Sequence, residues 1–550
     1  MSLKPQAIFP VPEETARIAR AAYPKGNGYM HMREVLGSIY TNEDFADLFS
    51  KDGQPAEAPW RLALVTVMQF IENLSDQQAA DAVRGRLDWK YLLGLELTDA
   101  GFDASVLCEF RARLVKQHAE ERLLAKMLTL FQQKGWLKVR GRQRTDSTHV
   151  LAKIRALNRV LCVWETMRAA LNSLAVAAPD WLRAHSPPEW VERYGPRSED
   201  SRLPAGEGER RVLAEEIGQQ GRELLDALFD PAAPEWLRQI PAVEIFRQVW
   251  VQNYQRIDDA VVWRSSEDLP PAARYIGSPY DEEAHYSKKR STQWVGYKVH
   301  LTETCETNLP LLITHVETTS APIPDDATLP TIHAELDRKA LLPAEHLVDT
   351  GYVDAQLLVE SQRDYQIDLV GPTRKDYRWQ AKQQKGFDAS HFLIDWDQQQ
   401  ATCPEGHTSA SWSPTRDKWQ NEVIRIKFSM TDCQQCPSRS LCTQSASYSR
   451  RSINIRPQAQ YQALMQRRKQ ETSKEFTQVY AKRAGIEGTI SQGVRTMGLR
   501  RSRYIGQEKT HLQHLATAAA LNLVRGMAWA EGLPRAQTRR SSFARLYDVA

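Results

Sequence analysis

Long apolar runs are missing from this 550-residue sequence. A membrane-spanning helix needs about 18–20 such residues, and the best stretch, Leu62–Ile71, is about half that length. No membrane partner is therefore expected. The first residues, MSLKPQAIFPVPEE, lack a basic start followed by an apolar segment and do not read as a signal peptide. Cysteine is scarce, with seven residues in the whole chain, too few for a disulfide scaffold. These absences point to a cytoplasmic protein. A large charge of one sign is missing too: 72 Lys and Arg stand against 68 Asp and Glu, a net +4. The rest of the composition is ordinary, 42% hydrophobic and 25% charged, and the length suggests roughly three to four domains.

The charge is unevenly spread. From Arg451 to Ala550 there are 18 Lys and Arg against 6 Asp and Glu. A basic end on a near-neutral chain suits a polyanionic partner, although a solvated basic surface has the same composition. Residues 30 to 135 read as helical. Ser75 and Gln78 form a capping box. Asp103 or Ser105 caps a later helix that carries Val106, Phe110 and Leu114 on one face beside Arg111 and Arg113, and another helix covers Leu123–Phe131.

An ordered run of elements follows. Strands are expected at Arg144–Val150, around Val295–Leu301 and at Leu311–Val316. A helix opens at Asp325 and Asp326, and a short strand, His346–Val348, ends at Asp349. Helix Leu357–Gln366 and strand Asp368–Val370 come next, and much later a helix carries Glu487. Two long segments interrupt the order. Ile154–Ala284 is Trp-rich and helical, with a loop at PRSEDSRLPAGEGE, and Trp379–Ile455 is polar and β-leaning.

Asp146 lies within a strand, Asp349 ends one and Glu487 lies on a helix. Strand ends and packed helices hold side chains rigidly. A few carboxylates suffice for Mg²⁺, a hard cation that keeps several waters. Two such ions can neutralise a scissile phosphate and align an attacking oxygen.

The blocks TDSTHV around Asp146, LVDTGYVD around Asp349 and YAKRAGIEGTISQGVRTMGLRRSRYIG around Glu487 closely resemble the DDE transposases of bacterial insertion sequences. FDASVLCEFRARL resembles the helical domain that precedes their core. The resemblance implies an α/β fold with an RNase H-like catalytic core. It implies that Asp146, Asp349 and Glu487 hold two Mg²⁺ (or Mn²⁺) ions. It also implies that Tyr480 and Arg483, matching a Y-x2-R-x3-E signature, contact DNA near the cut. Positions 480, 483 and 487 share one face of a continuous helix. The signature expects a Lys seven residues after the Glu, where this chain has Val494. Arg495 is a substitute displaced by about 100°. Arg500, Arg501 and Arg503 follow closely and are candidate phosphate contacts. The partners implied are element ends and target DNA, both double-stranded, with a homodimer handling two ends near the bacterial nucleoid.

Cys403, Cys433, Cys436 and Cys442 have the spacing of a structural zinc site. Free thiols are the alternative, and His407 in CPEGH is a rival fourth ligand. His149 reads as structural or as a phosphate-orienting group, and Lys298 and Arg290 as strand-edge cations or DNA contacts. Leu512–Arg525 reads as core packing. The expected organisation is then a helical DNA-binding domain at 1–135, the core at 136–153 and 285–378, and a helical insertion at 154–284. A zinc-ribbon-like β insertion at 379–455, the core's Glu487 helix and C-terminal helices at 456–530, and a basic tail at 531–550 complete it. The function expected is DNA cleavage and strand transfer at terminal inverted repeats. A nuclease that does not join ends, or a silent DNA-binding protein, are the alternatives.

Overall fold

A computed structural model describes residues 2–3, 8, 10–198, 203–382, 386–445 and 450–535. Most of the expected tail, at 536–550, and part of the loop in the helical insertion, at 199–202, lie outside the described residues.

Eight strands concern the centre of the chain: β1 Arg142–Leu151, β2 Tyr254–Ile257, β3 Ala260–Trp263, β4 His285–Lys289, β5 Thr292–Thr304, β6 Ile313–Ser320, β7 Glu345–Leu347 and β8 Asp368–Val370. Six of them form one sheet, in the order β4-β5-β1-β7-β8, with β6 paired to the second half of β5. Strands β1, β4 and β6 run antiparallel to β5, whereas β7 and β8 run parallel to β1. The parallel steps need crossovers, and helices Asp325–Arg338 and Ala355–Tyr365 supply them. All the expected strands and helices of this region are present, with ends shifted by a few residues. Strand β4 was not anticipated, because HYSKK is polar and exposed in part and pairs along only one edge.

The N-terminal helices form for legible reasons. Ser75 accepts from the Gln78 amide at 3.2 Å while Gln78 Oε1 accepts from the Ser75 amide at 2.9 Å, and Asp103 accepts from Ser105 at 2.9 Å. Arg111, expected beside the helix's apolar face, is buried on Asp76 at 2.6 Å. Arg113 donates to the Leu48 carbonyl at 3.3 Å and lies over the Phe49 ring. These cations knit helices together. The C-terminal helix Gln507–Ala530 packs on β6 and on helices Pro59–Ile71 and Arg122–Gln133. One apolar cluster consequently runs from Tyr29 through the sheet to Met527.

The two interrupting segments have cores of their own. In 154–284, Cys162, Met167, Leu224, Phe246 and Trp250 pack together. An added Cβ at Gly221 would lie 1.9 Å from the Trp250 ring, so only glycine lets that indole sit flush on helix Glu207–Phe229. Helix Arg159–Ala177 has the length and mean hydropathy (1.2) of a membrane span, which scanning for unbroken apolar runs had not found. Nine of its residues are buried, Glu165 among them, and it packs against helices Glu207–Phe229 and Pro241–Asn253 as a core helix does. The second segment holds a three-stranded antiparallel sheet (Ser411–Arg416, Glu422–Lys427 and Ser452–Ile455) over Phe392, Ile426, Phe428 and Ile453.

Candidate active site

The register of β1 against β7 brings the first two acids together. Arg144 pairs with Leu347 across the parallel ladder. Asp146 lies two residues beyond the first and Asp349 two beyond the second, so both stand at the same end of adjacent strands. Asp349 opens a short turn, its Oδ1 accepting from the Gly351 amide at 2.7 Å. Asp146 is buried and Glu487 is exposed, in the first turn of helix Gly485–Met497.

Arg483 joins them. Its Nη2 donates to Asp146 Oδ2 at 2.5 Å and its Nη1 to Glu487 Oε1 at 3.4 Å. Burial pushes the Asp146 carboxyl up to about 6; Arg483 pulls the other way, and Asp349 adds to the rise. Burial also disfavours the Arg483 cation, but Asp146, Tyr480, Asp349 and Glu487 outweigh it and raise its pKa. The segment bearing these residues is not one uninterrupted α-helix. Helix Lys474–Tyr480 passes into a tighter 3₁₀ turn, Ala481–Ala484, before the Glu487 helix starts. The backbone stays right-handed throughout, so Arg483 still reaches Glu487 four residues on. Tyr480 stacks on Phe476 with ring centroids 5.6 Å apart.

A buried ionic network fixes the Glu487 helix to the sheet, and nothing in the residue spacing announced it. Glu303 of β5 is fully buried. It accepts from Arg144 Nε at 2.7 Å, from Thr489 of the Glu487 helix at 2.6 Å and from Arg525 Nη1 at 3.0 Å. Arg144 also donates to the Lys482 carbonyl. Its guanidinium lies so close that a Cβ at Gly485 would come within 2.2 Å of it. Glycine at the start of the helix is therefore what lets Arg144 reach across. Next to the acids, Asp325 accepts from Lys298 at 3.0 Å and from Ser147 at 3.2 Å.

The other anticipated residues divide. Arg495 and Arg500 line a groove of about 490 Å³ together with Asp146, Ser147, Thr148 and Glu487. Arg500 is anchored on Thr148 at 2.8 Å, and Arg501 is exposed. Arg503 turns inward: it donates to the Leu74 carbonyl at 2.8 Å and to Asn73, and lies over the Phe70 ring. His149 packs on Trp294, Lys298 is spent on Asp325 and the Ile323 carbonyl, and Arg290 sits in the β4–β5 turn.

Cys403, Cys433, Cys436 and Cys442 carry no disulfide and line one small cavity that His407 also borders. Burial, helped by the neighbouring Cys436, Cys433 and Cys403 and opposed by Arg451, pushes the Cys442 thiol up to about 11. Among the described residues, no group of three or more His, Cys, Asp or Glu is drawn together tightly enough to hold a metal ion as it stands.

Residues 402–527 match the family model described as a transposase DDE domain, and residues 18–113 match the one described as a transposase domain (DUF772). No curated protein and no solved structure matches the chain. The first match takes in the cysteines, the basic signature and Glu487, and the second takes in the N-terminal helices. These two matches support a DDE transposase of insertion-sequence type.

Proposed function

We propose that this protein binds the terminal inverted repeats of its element as DNA duplex, cuts DNA there and joins the freed ends to target DNA, acting at least as a dimer. The observation that carries the reading is one guanidinium, Arg483, that contacts both Asp146 and Glu487 and feels the charge of Asp349, beside a groove lined by Arg495 and Arg500. Apart from the edge strand β4, three antiparallel strands (β1, β5 and β6) followed by two parallel ones (β7 and β8) support an RNase H-like core. Carboxylates grouped at a strand end and a helix start, with oxygen donors only, have the right chemistry for a hard divalent cation. Asp146, Asp349 and Glu487 would hold Mg²⁺ or Mn²⁺, two ions in all. When bound, the metal supplies charge neutralisation at the scissile phosphate and lowers the pKa of an attacking water. The chain's own residues do the rest. Arg495, Arg500 and Arg501 grip phosphates flanking the cut, Tyr480 bounds the site, and the Glu303 network keeps the Glu487 helix in register with β1. The four thiolates of Cys403, Cys433, Cys436 and Cys442 match a structural zinc site in donor number and softness, with His407 as the alternative to one of them.

Incubating the protein with a donor carrying the element's two ends and a supercoiled target tests the reading. Joined products that need Mg²⁺ are expected. Nicking without joining would favour a nuclease of the same fold, and binding without nicking would favour a silent DNA-binding protein.

A further inference from the structure

Arg483 lies between two of the three carboxylates and within electrostatic reach of the third. Each of its two terminal nitrogens holds a different acid, Asp146 and Glu487, and the side chain is only 15% exposed. The fork is nevertheless incompletely used. Its Nε is buried and has no hydrogen-bond partner among the described residues. A guanidinium bound to two single carboxylate oxygens is a poorer match than one bound edge-on to a phosphate, where two parallel N–H donors face two oxygens. The neighbouring groove carries Arg495 and Arg500, cations that would bring a DNA backbone alongside.

From this geometry, and resting on the reading of Asp146, Asp349 and Glu487 as the metal-holding acids, we infer that Arg483 is a built-in counter-ion that blocks metal loading until a DNA phosphate draws it away. Without DNA the guanidinium neutralises the acids, and a divalent cation must displace it. With DNA the same side chain exchanges two carboxylate contacts for a phosphate, and the carboxylates become free. The device makes metal binding conditional on substrate, so a loaded enzyme without DNA is rare. Linkage requires the converse as well: metal must tighten DNA binding by the same factor.

Mn²⁺ binding to the full, zinc-replete chain, measured without DNA by loss of the free-ion paramagnetic resonance signal, tests this directly. Arg483→Gln is expected to bind Mn²⁺ about 5- to 150-fold more tightly than the natural protein, the usual range of such couplings. Equal or weaker binding by a variant whose melting curve shows it folded overturns the inference. Should that variant not fold, Arg483→Lys serves, because one ammonium cannot hold both carboxylates in the same way, and tighter binding than in the natural protein is again expected. The Asp146→Asn/Arg483→Gln double variant separates the two readings. Loss of the gained affinity ties it to the acids. Retention would mean that the metal sits elsewhere, and the assignment of the acids themselves would fall.

Discussion

Asp146 is the residue on which electrostatics and function meet most plainly. Its carboxyl titrates near 6 rather than near the ordinary 3.8, chiefly because it is buried. A folded-state pKa above the unfolded one means that the protonated acid stabilises the fold. That contribution is fully present below about 3.8 and is lost as pH rises through about 6. Its size is no more than about 3 kcal/mol, at 1.36 kcal/mol per unit. A divalent cation competes with the proton, so the rise in melting temperature produced by Mn²⁺ should grow as pH passes from 5 to 8. A rise that does not change with pH over that range would show that Asp146 takes no part in holding metal. Glu303 makes the second prediction at this scale. It is fully buried among Arg144, Thr489 and Arg525, and breaking a buried pair strands a charge. Glu303→Ala should cost about 3–5 kcal/mol in denaturant unfolding. A loss below about 1 kcal/mol would show that the network does not fasten the helix.

At the scale of elements, the basic stretch after the Glu487 helix splits into arginines with different work. Arg500 and Arg501 lie on the groove side or in solvent, whereas Arg503 is held by Leu74, Asn73 and Phe70. Neutralising Arg500 and Arg501 together should flatten the salt dependence of DNA binding by about 0.9 log unit each. Arg503→Ala should lower the melting temperature and leave the salt slope nearly unchanged. The reverse pattern would overturn the division. The cysteine segment is expected to carry about one zinc per chain, and elemental analysis of protein purified without chelators checks it. Much of this scale was legible beforehand. The alternation of Val295, Tyr297, Val299 and Leu301 and the Ser75–Gln78 box are local patterns, and local patterns carry their own signal. The direction of Arg111, Arg483 and Arg503 was not legible. A cation's partner in this fold comes from an element up to hundreds of residues away, and no spacing rule encodes that. Glu303 stayed hidden for the same reason, because its three partners come from β1, the Glu487 helix and the C-terminal helix.

The whole molecule is organised around one shared core with two appended ones. The apolar cluster that starts at Tyr29 and ends at Met527 joins the N-terminal helices to the sheet through helix Gln507–Ala530. The helical reading of the first 135 residues and the resemblance of FDASVLCEFRARL had suggested a separate N-terminal domain, and a surface common to both parts cannot be seen from either part's sequence. The helical insertion, by contrast, keeps its core to itself and holds six of the 15 tryptophans. Unfolding followed by tryptophan fluorescence should therefore have a midpoint different from that followed by far-ultraviolet circular dichroism, and coincident midpoints would mean a single cooperative unit. The claim on which everything else depends is that Asp146, Asp349 and Glu487 act as one metal-dependent centre on DNA. Nicking of a supercoiled plasmid bearing the element ends, with and without Mg²⁺, measures it most directly when run on the natural protein and on Asp349→Asn. The natural protein should nick only with Mg²⁺, and the variant should bind the same DNA yet leave it intact. Near-natural, Mg²⁺-dependent nicking by Asp349→Asn would contradict the account.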